Sequence, residues 1–497
     1  MIDFVNLFIT LFMSYLYRLV KLGAIILPFL AIICEGCQKF VQINPPSTRL
    51  VTASVFDNST TATAAQTAIY SKMASNSESW NMSQDCGLMS DELTSYSNNA
   101  LQLGYFTNSL AALNNPGPWA NAYNYIYQAN AIIEGLQNNS GNVYPAIEQQ
   151  LIGESEFLRA FWFFYLTSLY GDIPLVTSTA YNSNGVMART SKTLVYQQIV
   201  ADLADAQNLL NANFVDGTDT TITTERVRPT KAAATALLAR VYLYIQKYDS
   251  AEAEATNVIN NTLFSLCTKL SGTAGAVFLK NSTEAIWQLS TPVPSNWNTS
   301  DGEFFILKSA PSTTGTNNSA AISSQLINTF EPGDLRKSQW IGRYTAPGVS
   351  YSFPYKYQSY GVAVTASGVA TEYVMVLRLA EQYLIRAEAR AQQGNIAGAQ
   401  ADLNVIRIRA GLAPYAGASD KTSLLNAILH ERQVELFSEW GHRWFDLIRT
   451  GAVDSVMGGS NGVCKAKGGS WISNWEVMPI PQNDRTNDPN LTQNSGY

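Results

Sequence analysis

The chain has 497 residues, of which 46% are hydrophobic and only 14% charged, and its net charge is −6. The length and the hydrophobic content indicate a globular protein with a large core and exclude a disordered chain. The acidic balance argues against a nucleic-acid-binding protein, which needs a basic surface. A polar surface built mainly from Asn, Ser, Thr and Tyr suits an exported protein that meets neutral polar ligands.

Two apolar stretches lie at the N-terminus, from Phe4 to Tyr17 and from Leu22 to Ile33. The second follows two basic residues and precedes small residues and cysteines, a layout typical of a secretory signal peptide. It is too short to span a bilayer, which needs roughly 20 residues. We therefore predict a signal peptide over residues 1–36. A true start at Met13 and a membrane anchor made of both stretches are the alternatives.

The apolar run ends in cysteines, as bacterial lipoprotein signals do, and lipid on such a cysteine anchors the chain to a membrane. Cys34 and Cys37 are the candidates, and Gly36 favours Cys37 as the lipid attachment site. The mature chain is then a single domain over residues 37–497. Three further cysteines remain in it: Cys86, Cys267 and Cys464. They form no Cys-x-x-Cys motif and allow one disulfide, with no pair favoured.

Most of the remaining chain is predicted to form paired helices. Apolar residues recur with a period near 3.6 in two successive segments, the second of which stops at Gly171. Two later segments each divide into two helices, with turns at Tyr248–Asp249 and at Gly394–Asn395. Their spacing resembles a tetratricopeptide unit of about 34 residues. We predict such pairs roughly within 118–260 and 374–440; unrelated helical hairpins in a bundle would have nearly the same core.

Two regions lack this periodicity, roughly residues 79–115 and 263–371. Both are rich in Ser, Thr and Asn and contain scattered aromatic residues. We predict loops, short strands and short helices there. Long loops on a rigid helical frame are where binding sites usually lie.

The stretch "SEWGHRWFDLIRTG", from Ser438 to Gly451, has the residue types of an active site. His442 would be the base and Glu439 or Asp446 the acid. However, a helix precedes it, and the spacing of Trp440, Trp444 and Phe445 predicts burial. The carboxylates and arginines expected to pair here are Glu431, Glu435, Glu439, Arg443 and Arg449. We favour a structural cluster of ion pairs and aromatic rings that joins the last helix pair to the C-terminal segment.

Other catalytic and metal-binding patterns are weak or missing from the sequence. The segment Gly458 to Gly462 matches G-x-S-x-G, but it lies in a glycine-rich loop and no histidine follows it. The chain has no Walker loop, no HExxH helix and no EF-hand loop. We predict no enzyme activity, no cofactor and no metal site.

Several stretches, in the family's order, closely resemble the SusD/RagB family. They are Gly153 to Val176, Arg378 to Asn395, Leu403 to Leu412, Ser438 to Gly451 and Met478 to Tyr497, together with the lipoprotein start. The resemblance implies a mainly α fold, a right-handed α-superhelix of four tetratricopeptide-like helix pairs packed against an irregular loop-rich region with short strands. It also implies a surface lipoprotein of the Bacteroidetes outer membrane. Such proteins capture oligosaccharides or peptides for a SusC-like TonB-dependent transporter and are not enzymes.

The predicted ligand site follows from sugar chemistry. A pyranose stacks its apolar face on an aromatic ring, and its hydroxyls bond amides and carboxylates. The predicted glycan contacts are Trp297, Tyr96, Asn98, Asn99, Tyr105, Asn296 and Asp91. Trp297 is the leading candidate because polar loop residues flank it; Trp340 and Tyr351 are weaker ones. Three other tryptophans are predicted to be buried: Trp119, Trp162 and Trp287.

Glycan capture is therefore the leading functional hypothesis. Peptide capture is the alternative within the same role, although peptide recognition tends to use backbone pairing in a less aromatic groove. A surface hydrolase would need convergent carboxylates in the loops, where only Asp91–Glu92 and Asp301–Glu303 are available. A purely structural scaffold for protein partners would not need the long aromatic loops.

Overall fold

The computed structural model describes residues 7, 9–18, 21, 55–110, 116–138, 141–272, 274–365 and 368–497. It divides into an N-terminal unit, Met1–Ser54, and a large unit, Val55–Tyr497. In the N-terminal unit, residues 9–18 are helical. The predicted signal run from Leu22 to Ile33 and the candidate lipid sites Cys34 and Cys37 lie outside the described residues. Among the helices that are described, none combines the length and the apolar content needed to cross a membrane.

The regular elements of the first half of the large unit are helices, apart from one short strand. Its elements are α1 (Ser59–Ser75), α2 (Glu78–Met89), β1 (Leu93–Ser95), α3 (Ala100–Phe106), α4 (Trp119–Gln137), α5 (Pro145–Tyr170), α6 (Tyr181–Asn184), α7 (Lys192–Leu209), α8 (Lys231–Tyr244) and α9 (Tyr248–Ile259). Helix α5 ends as predicted at Gly171, whose φ of +73° favours glycine.

The second half alternates short strands with helices. Its elements are β2 (Ala285–Leu289), α10 (Ser300–Phe305), β3 (Ala320–Ile322), α11 (Ser324–Thr329), α12 (Leu335–Gln339), β4 (Ile341–Ala346), β5 (Val349–Pro354), β6 (Val374–Arg378), α13 (Leu379–Gln392), α14 (Ile396–Arg409), α15 (Lys421–Leu436), α16 (His442–Arg449), α17 (Val453–Met457), α18 (Val463–Ala466) and α19 (Gln482–Asn487). A 3₁₀ turn spans Ser473–Glu476. The strands form three two-stranded antiparallel sheets: β1–β3, β2–β6 and β4–β5.

Eight helices form a continuous row in which each packs against the next: α4, α5, α7, α8, α9, α13, α14 and α15. Small residues permit close packing between them. A Cβ at Gly153 in α5 would lie 2.9 Å from the Cβ of Leu209 in α7, so a larger residue would push these helices apart. The mainly helical fold is confirmed, and the row is consistent with four tetratricopeptide-like pairs. The right-handed twist stays a prediction.

The core is rich in aromatic rings. The ring of Phe161 lies 5.5 Å from that of Trp287 and 5.4 Å from that of Trp440, both nearly perpendicular. Trp119 and Trp162 are also buried, as predicted. Trp340, a weaker candidate for ligand contact, is fully buried and its indole donates a hydrogen bond to the carbonyl of Leu270. That prediction was wrong, because the ring fills the core.

Two local predictions also need correction. The region 79–115 contains helix α2, which carries no clear division between a polar and an apolar face. The polar residues Glu78, Ser79, Ser83 and Gln84 are buried in it alongside the apolar ones, so the helical period is hidden. The turn between α8 and α9 occupies residues 245–247, just before the predicted position. The turn at Gly394 is confirmed, with a φ of +84°.

The cysteines of the described chain are Cys86, Cys267 and Cys464, and all three are free and buried. Cys86 lies under Gly441, where an added Cβ would approach its Sγ to 2.7 Å. The disulfide that the sequence allows is therefore not found among these residues.

Candidate functional site

A surface cleft of about 470 Å³ contains Trp297 and Asn296. Its walls come from the end of α1, the segment 291–297 and residues 363–365. Trp297 is partly buried and Asn296 is exposed. The leading aromatic candidate of the sequence thus lies in a cavity of the size that small ligands occupy.

Two sets of hydrogen bonds hold the walls of this cleft together. Ser295 and Val364 exchange backbone hydrogen bonds of 2.8 Å in both directions. Behind them, the side-chain amide of Asn298 donates to the carbonyl of Val362 and accepts from the backbone N–H of Thr371 at 2.7 Å. Asn298 is almost fully buried, so it fixes the cleft wall and does not contact ligand.

Aromatic packing supports the Trp297 ring from the protein side. The ring of Trp297 lies 5.4 Å from that of Phe304 in α10, which lies 4.8 Å from that of Trp80 in α2. Asn318 in turn donates its backbone N–H to the carbonyl of Phe304. Such support makes the indole a preorganised stacking surface, because little side-chain freedom is left to lose on binding.

A second aromatic group lies on the β4–β5 hairpin. The exposed ring of Tyr96 meets the ring of Tyr351 edge-on at 5.2 Å. Tyr344 is the direct cross-strand partner of Tyr351, and Tyr360 packs against the same small apolar cluster. We call Tyr96, Tyr344, Tyr351 and Tyr360 the tyrosine edge. The segment that carries Tyr360 continues directly into residues 363–365 of the cleft.

Sequence reasoning missed half of the tyrosine edge, since only Tyr96 and Tyr351 were candidates. Tyr344 and Tyr360 were not among the predicted contacts, although residues 351–360 contain four tyrosines. Such a density of tyrosines in a loop-rich region is a usable signal, since tyrosine combines a large apolar face with a polar tip. The predicted Tyr96 does belong to this group.

The two asparagines beside Tyr96 differ in their surroundings. Asn98 is exposed on the surface. Asn99 is the N-cap of α3, and its side-chain oxygen accepts hydrogen bonds from the backbone N–H groups of Leu101 and Gln102. This capping occupies the side-chain oxygen of Asn99. The role of Asn99 as a ligand contact stays a prediction.

Two predicted contacts are placed where a ligand cannot reach their polar groups. Asp91 is 7% exposed, and its carboxylate receives two hydrogen bonds from Arg443 at 2.8 and 2.7 Å. Tyr105 is 2% exposed, and its hydroxyl accepts the backbone N–H of Gly117. Both residues join the loops to the core, so we remove them from the candidate site.

The loop carboxylates do not form an acid–base pair in the cleft. Asp301 is buried, which raises its pKa to about 7, and it accepts a hydrogen bond from the hydroxyl of Ser79. Glu303 accepts the backbone N–H of Gly361 at 2.9 Å. Burial also raises the pKa of Glu92 to about 8. Each of these groups is engaged with protein, and none lines the described part of the cleft.

The segment Ser438 to Gly451 contributes Glu439 to a buried ionic cluster, as expected for a structural role. Arg378 contacts Glu439 at 2.7 Å, Glu435 at 2.6 Å and Glu284 at 3.0 Å. Arg336 contacts the same Glu435 at 2.9 Å. We call Arg378, Arg336, Arg409, Lys356, Glu284, Glu431, Glu435 and Glu439 the ionic cluster. Although burial alone would raise the pKa of Glu435, the guanidinium groups of Arg409, Arg378 and Arg336 together hold it well below its usual value.

The arginines of this segment have other partners than the sequence suggested. Arg443 pairs with Asp91, and Arg449 pairs with Glu388 and Asp446. Asp446 lies three residues before Arg449 in the same helix, but helical periodicity could not reveal Asp91 and Glu388, which come from distant parts of the chain. Trp440, Trp444 and Phe445 are buried as predicted.

The two patterns that resemble catalytic motifs, at His442 and at Gly458 to Gly462, lie in surroundings that do not fit catalysis. His442 is 6% exposed, and burial together with Arg240 and Arg432 lowers its pKa well below the usual value, so it is neutral. The segment Gly458 to Gly462 follows α17, whereas a nucleophile elbow follows a strand. Among the described residues, no group of three or more His, Cys, Asp or Glu side chains could hold a metal ion.

A larger cavity of about 840 Å³ lies among the helices, lined in part by Tyr196, Tyr242, Tyr244, Lys192 and Lys247. It was not predicted from the sequence. Its Tyr244 ring packs 4.9 Å from Phe164 and beneath the guanidinium of Arg449, so the ring is engaged with protein. We favour the Trp297 cleft as the site because it combines a partly exposed ring with an exposed amide on loops.

Comparison with known proteins agrees with this architecture. Residues 341–497 match a sequence model of the SusD family, and residues 39–243 match a second one described as starch-binding associating with outer membrane. The SusD-like protein P38 of Formosa agariphila is 25% identical over 429 residues, which cover 76% of this chain and 79% of that protein.

Solved structures match over nearly the whole of the described chain. A SusD superfamily protein from Bacteroides vulgatus aligns with a TM-score of 0.73 at 21% identity, over 88% of this chain and 99% of its own. A laminarin-binding SusD-like protein aligns with a TM-score of 0.70 at 24% identity, over 88% and 100%. The two sequence models match segments in both halves of the chain, residues 39–243 and 341–497, and the fold agrees with them. The chain therefore belongs to the SusD family.

Proposed function

We propose that this chain is a cell-surface lipoprotein that captures oligosaccharides and delivers them to a SusC-like TonB-dependent outer-membrane transporter. The observation that carries the proposal is the cleft in which the supported ring of Trp297 lies beside the exposed amide of Asn296. An apolar stacking face next to hydrogen-bonding groups is the chemistry that a sugar ring requires. A matching sequence model described as starch-binding and a structural neighbour described as laminarin-binding support the same ligand class.

Titration calorimetry of the purified full chain would test glycan capture. The panel contains plant, fungal and host oligosaccharides and a mixture of peptides. We expect one glycan class to bind and Trp297→Ala to weaken it by about 30-fold or more, the effect of losing a central aromatic anchor. The matched control is Tyr242→Ala, in the larger helical cavity, which should bind as the unchanged protein does.

The same panel separates the competing functions. Binding of peptides alone would keep the capture role and overturn the glycan assignment. Loss of glycan binding in Tyr242→Ala but not in Trp297→Ala would move the site to the helical cavity. Release of new reducing ends during incubation would indicate a hydrolase. Tyr351→Ala tests whether the tyrosine edge extends the site, and we expect a smaller loss there than at Trp297.

The membrane and partner assignments rest on the family and on the leader sequence. We propose Cys37 as the lipidated residue, with the protein exposed at the cell surface. Metabolic labelling with a fatty acid should mark the unchanged chain and Cys34→Ser but not Cys37→Ser. Purification of the lipidated protein from outer membranes should recover a TonB-dependent transporter with it. Recovery without any transporter would contradict the delivery role.

A further inference from the structure

The walls of the Trp297 cleft are uncharged. Its described lining combines aromatic, aliphatic, proline, hydroxyl and amide side chains, without a single Asp, Glu, Lys or Arg. The two positions that follow the lining segment 363–365 in sequence are Ala366 and Ser367, which are uncharged as well.

The charged side chains that neighbour these walls in sequence are directed to other partners. Lys72, two residues before Ala74, donates a hydrogen bond to the side chain of Asn124 at 2.6 Å. Glu303 accepts the backbone N–H of Gly361, and Glu372 accepts that of Gln358 at 2.6 Å. None of these groups is therefore placed to neutralise a charge on a ligand in the cleft.

The tyrosine edge has cations nearby, but they are not directed into the cleft. Arg343 is adjacent to Tyr344 in β4, and successive side chains of a strand point to opposite faces. The Nζ of Lys308 lies 5.1 Å from the ring centre of Tyr360. These two residues provide internal controls, because they carry positive charge outside the cleft.

From this arrangement we infer that the cleft selects uncharged oligosaccharides over those that carry carboxylate or sulfate groups. A neutral sugar ring loses little by stacking on Trp297 and bonding Asn296. An anionic sugar would lose hydration of its charge without gaining a counter-ion, which is costly. The chain's net charge of −6 adds repulsion at long range. This inference rests on the proposed function and names the ligand class of the same site.

The test is a comparison of neutral and acidic probes by titration calorimetry on the purified full chain. The neutral probes are laminari-, malto-, xylo- and manno-oligosaccharides, and the acidic ones are oligogalacturonate and oligoalginate. We expect at least one neutral probe to bind at least about tenfold more tightly than either acidic probe. Its affinity should be the same at low and high salt, since no charge pair is involved.

Charge substitutions in the cleft make the test specific. Asn296→Lys adds a cation that attracts the acidic probes. We expect it to change the ratio of neutral to acidic affinity by about tenfold in favour of the acidic probes. Lys308→Ala, outside the cleft, should leave the preference unchanged.

The outcomes separate the inference from the proposed function. Binding of oligogalacturonate or oligoalginate by the unchanged protein as tightly as any neutral probe would overturn the inference and leave glycan capture standing. A strong effect of Lys308→Ala on the preference would also overturn it, by moving the selecting charge out of the cleft. Failure to bind any saccharide would overturn both.

Discussion

The ionic cluster and the Trp297 cleft use opposite chemistry in the same protein. Only 14% of the residues are charged, yet many of those charges are buried and paired around Arg378 and Arg336. The described lining of the cleft carries none. Charge in this protein thus joins distant segments of the chain, whereas neutral rings and amides form the cleft that we propose as the ligand site.

The largest effect is expected in the ionic cluster. Arg378→Met would leave Glu435 and Glu439 buried without a main partner, which typically costs about 3–5 kcal/mol. Unfolding in denaturant should report this loss, while the fraction that remains folded still binds glycan. A loss below about 1 kcal/mol would show that the remaining arginines compensate, and the contrast between the two regions would weaken.

The next effect tests a neutral side chain that shapes the cleft. Asn298→Ala would leave the backbone N–H of Thr371 and the buried backbone N–H of Glu372 without their acceptor, at a cost of about 1–3 kcal/mol. We expect both lower stability and weaker glycan binding, because the wall at 362–365 loses its support. The control is Asn317→Ala, at an exposed position. Unchanged glycan affinity in Asn298→Ala would show that glycan binding does not depend on this support of the cleft wall.

A third effect is a dependence of stability on pH that comes from the buried Asp301. Burial raises the pKa of Asp301 from 3.8 to about 7, so the folded chain holds a proton there that the unfolded chain releases. The free energy of unfolding should therefore fall as pH rises from about 4 to 7. Each pKa unit of difference is worth about 1.4 kcal/mol, and Asp301→Asn has no such proton, so it should remove most of that fall, as measured by denaturant unfolding at several pH values. The same slope in both proteins would contradict this account.

The smallest effect is expected for an ion pair outside the cluster. Arg390 contacts Glu252 at 2.8 Å, and both side chains are partly exposed; Arg390 also contacts the buried Asp402 at 2.9 Å, but Asp402 keeps Arg386 as a partner at 2.7 Å. Arg390→Met should change the free energy of unfolding by only about 0–1 kcal/mol, since water screens such pairs. Because this variant makes the same substitution as Arg378→Met, it is the matched comparison for burial. Equal losses in the two variants would refute the distinction.

The sequence predicted the features that depend on local pattern. Helical periodicity, the stop at Gly171 and the turn at Gly394 are local, and the structure has all of them. Polar loop residues flank Trp297 and predict a loop position, and the structure has this residue in the lining of a surface cleft. Helix α2 could not be predicted from the sequence, because it is buried on several sides and shows no amphipathic pattern.

The errors at the site have a common physical cause. Asp91 and Trp340 look like surface residues in the sequence, but Arg443, 352 positions after Asp91, and the carbonyl of Leu270 occupy their polar groups. Such long-range pairing leaves no local signal. The tyrosine edge likewise appears only when β1 and the β4–β5 hairpin are brought together.

The three buried thiols can report local opening of the fold, because each lies in a different part of the core. Cys86 lies beneath Gly441, Cys464 approaches the carbonyl of Thr107, and Cys267 lies 3.2 Å from the hydroxyl of Ser282. Each thiol can meet a labelling reagent only when its own surroundings separate. The order in which the three react would therefore rank these parts of the fold by how often they open, without any introduced cysteine.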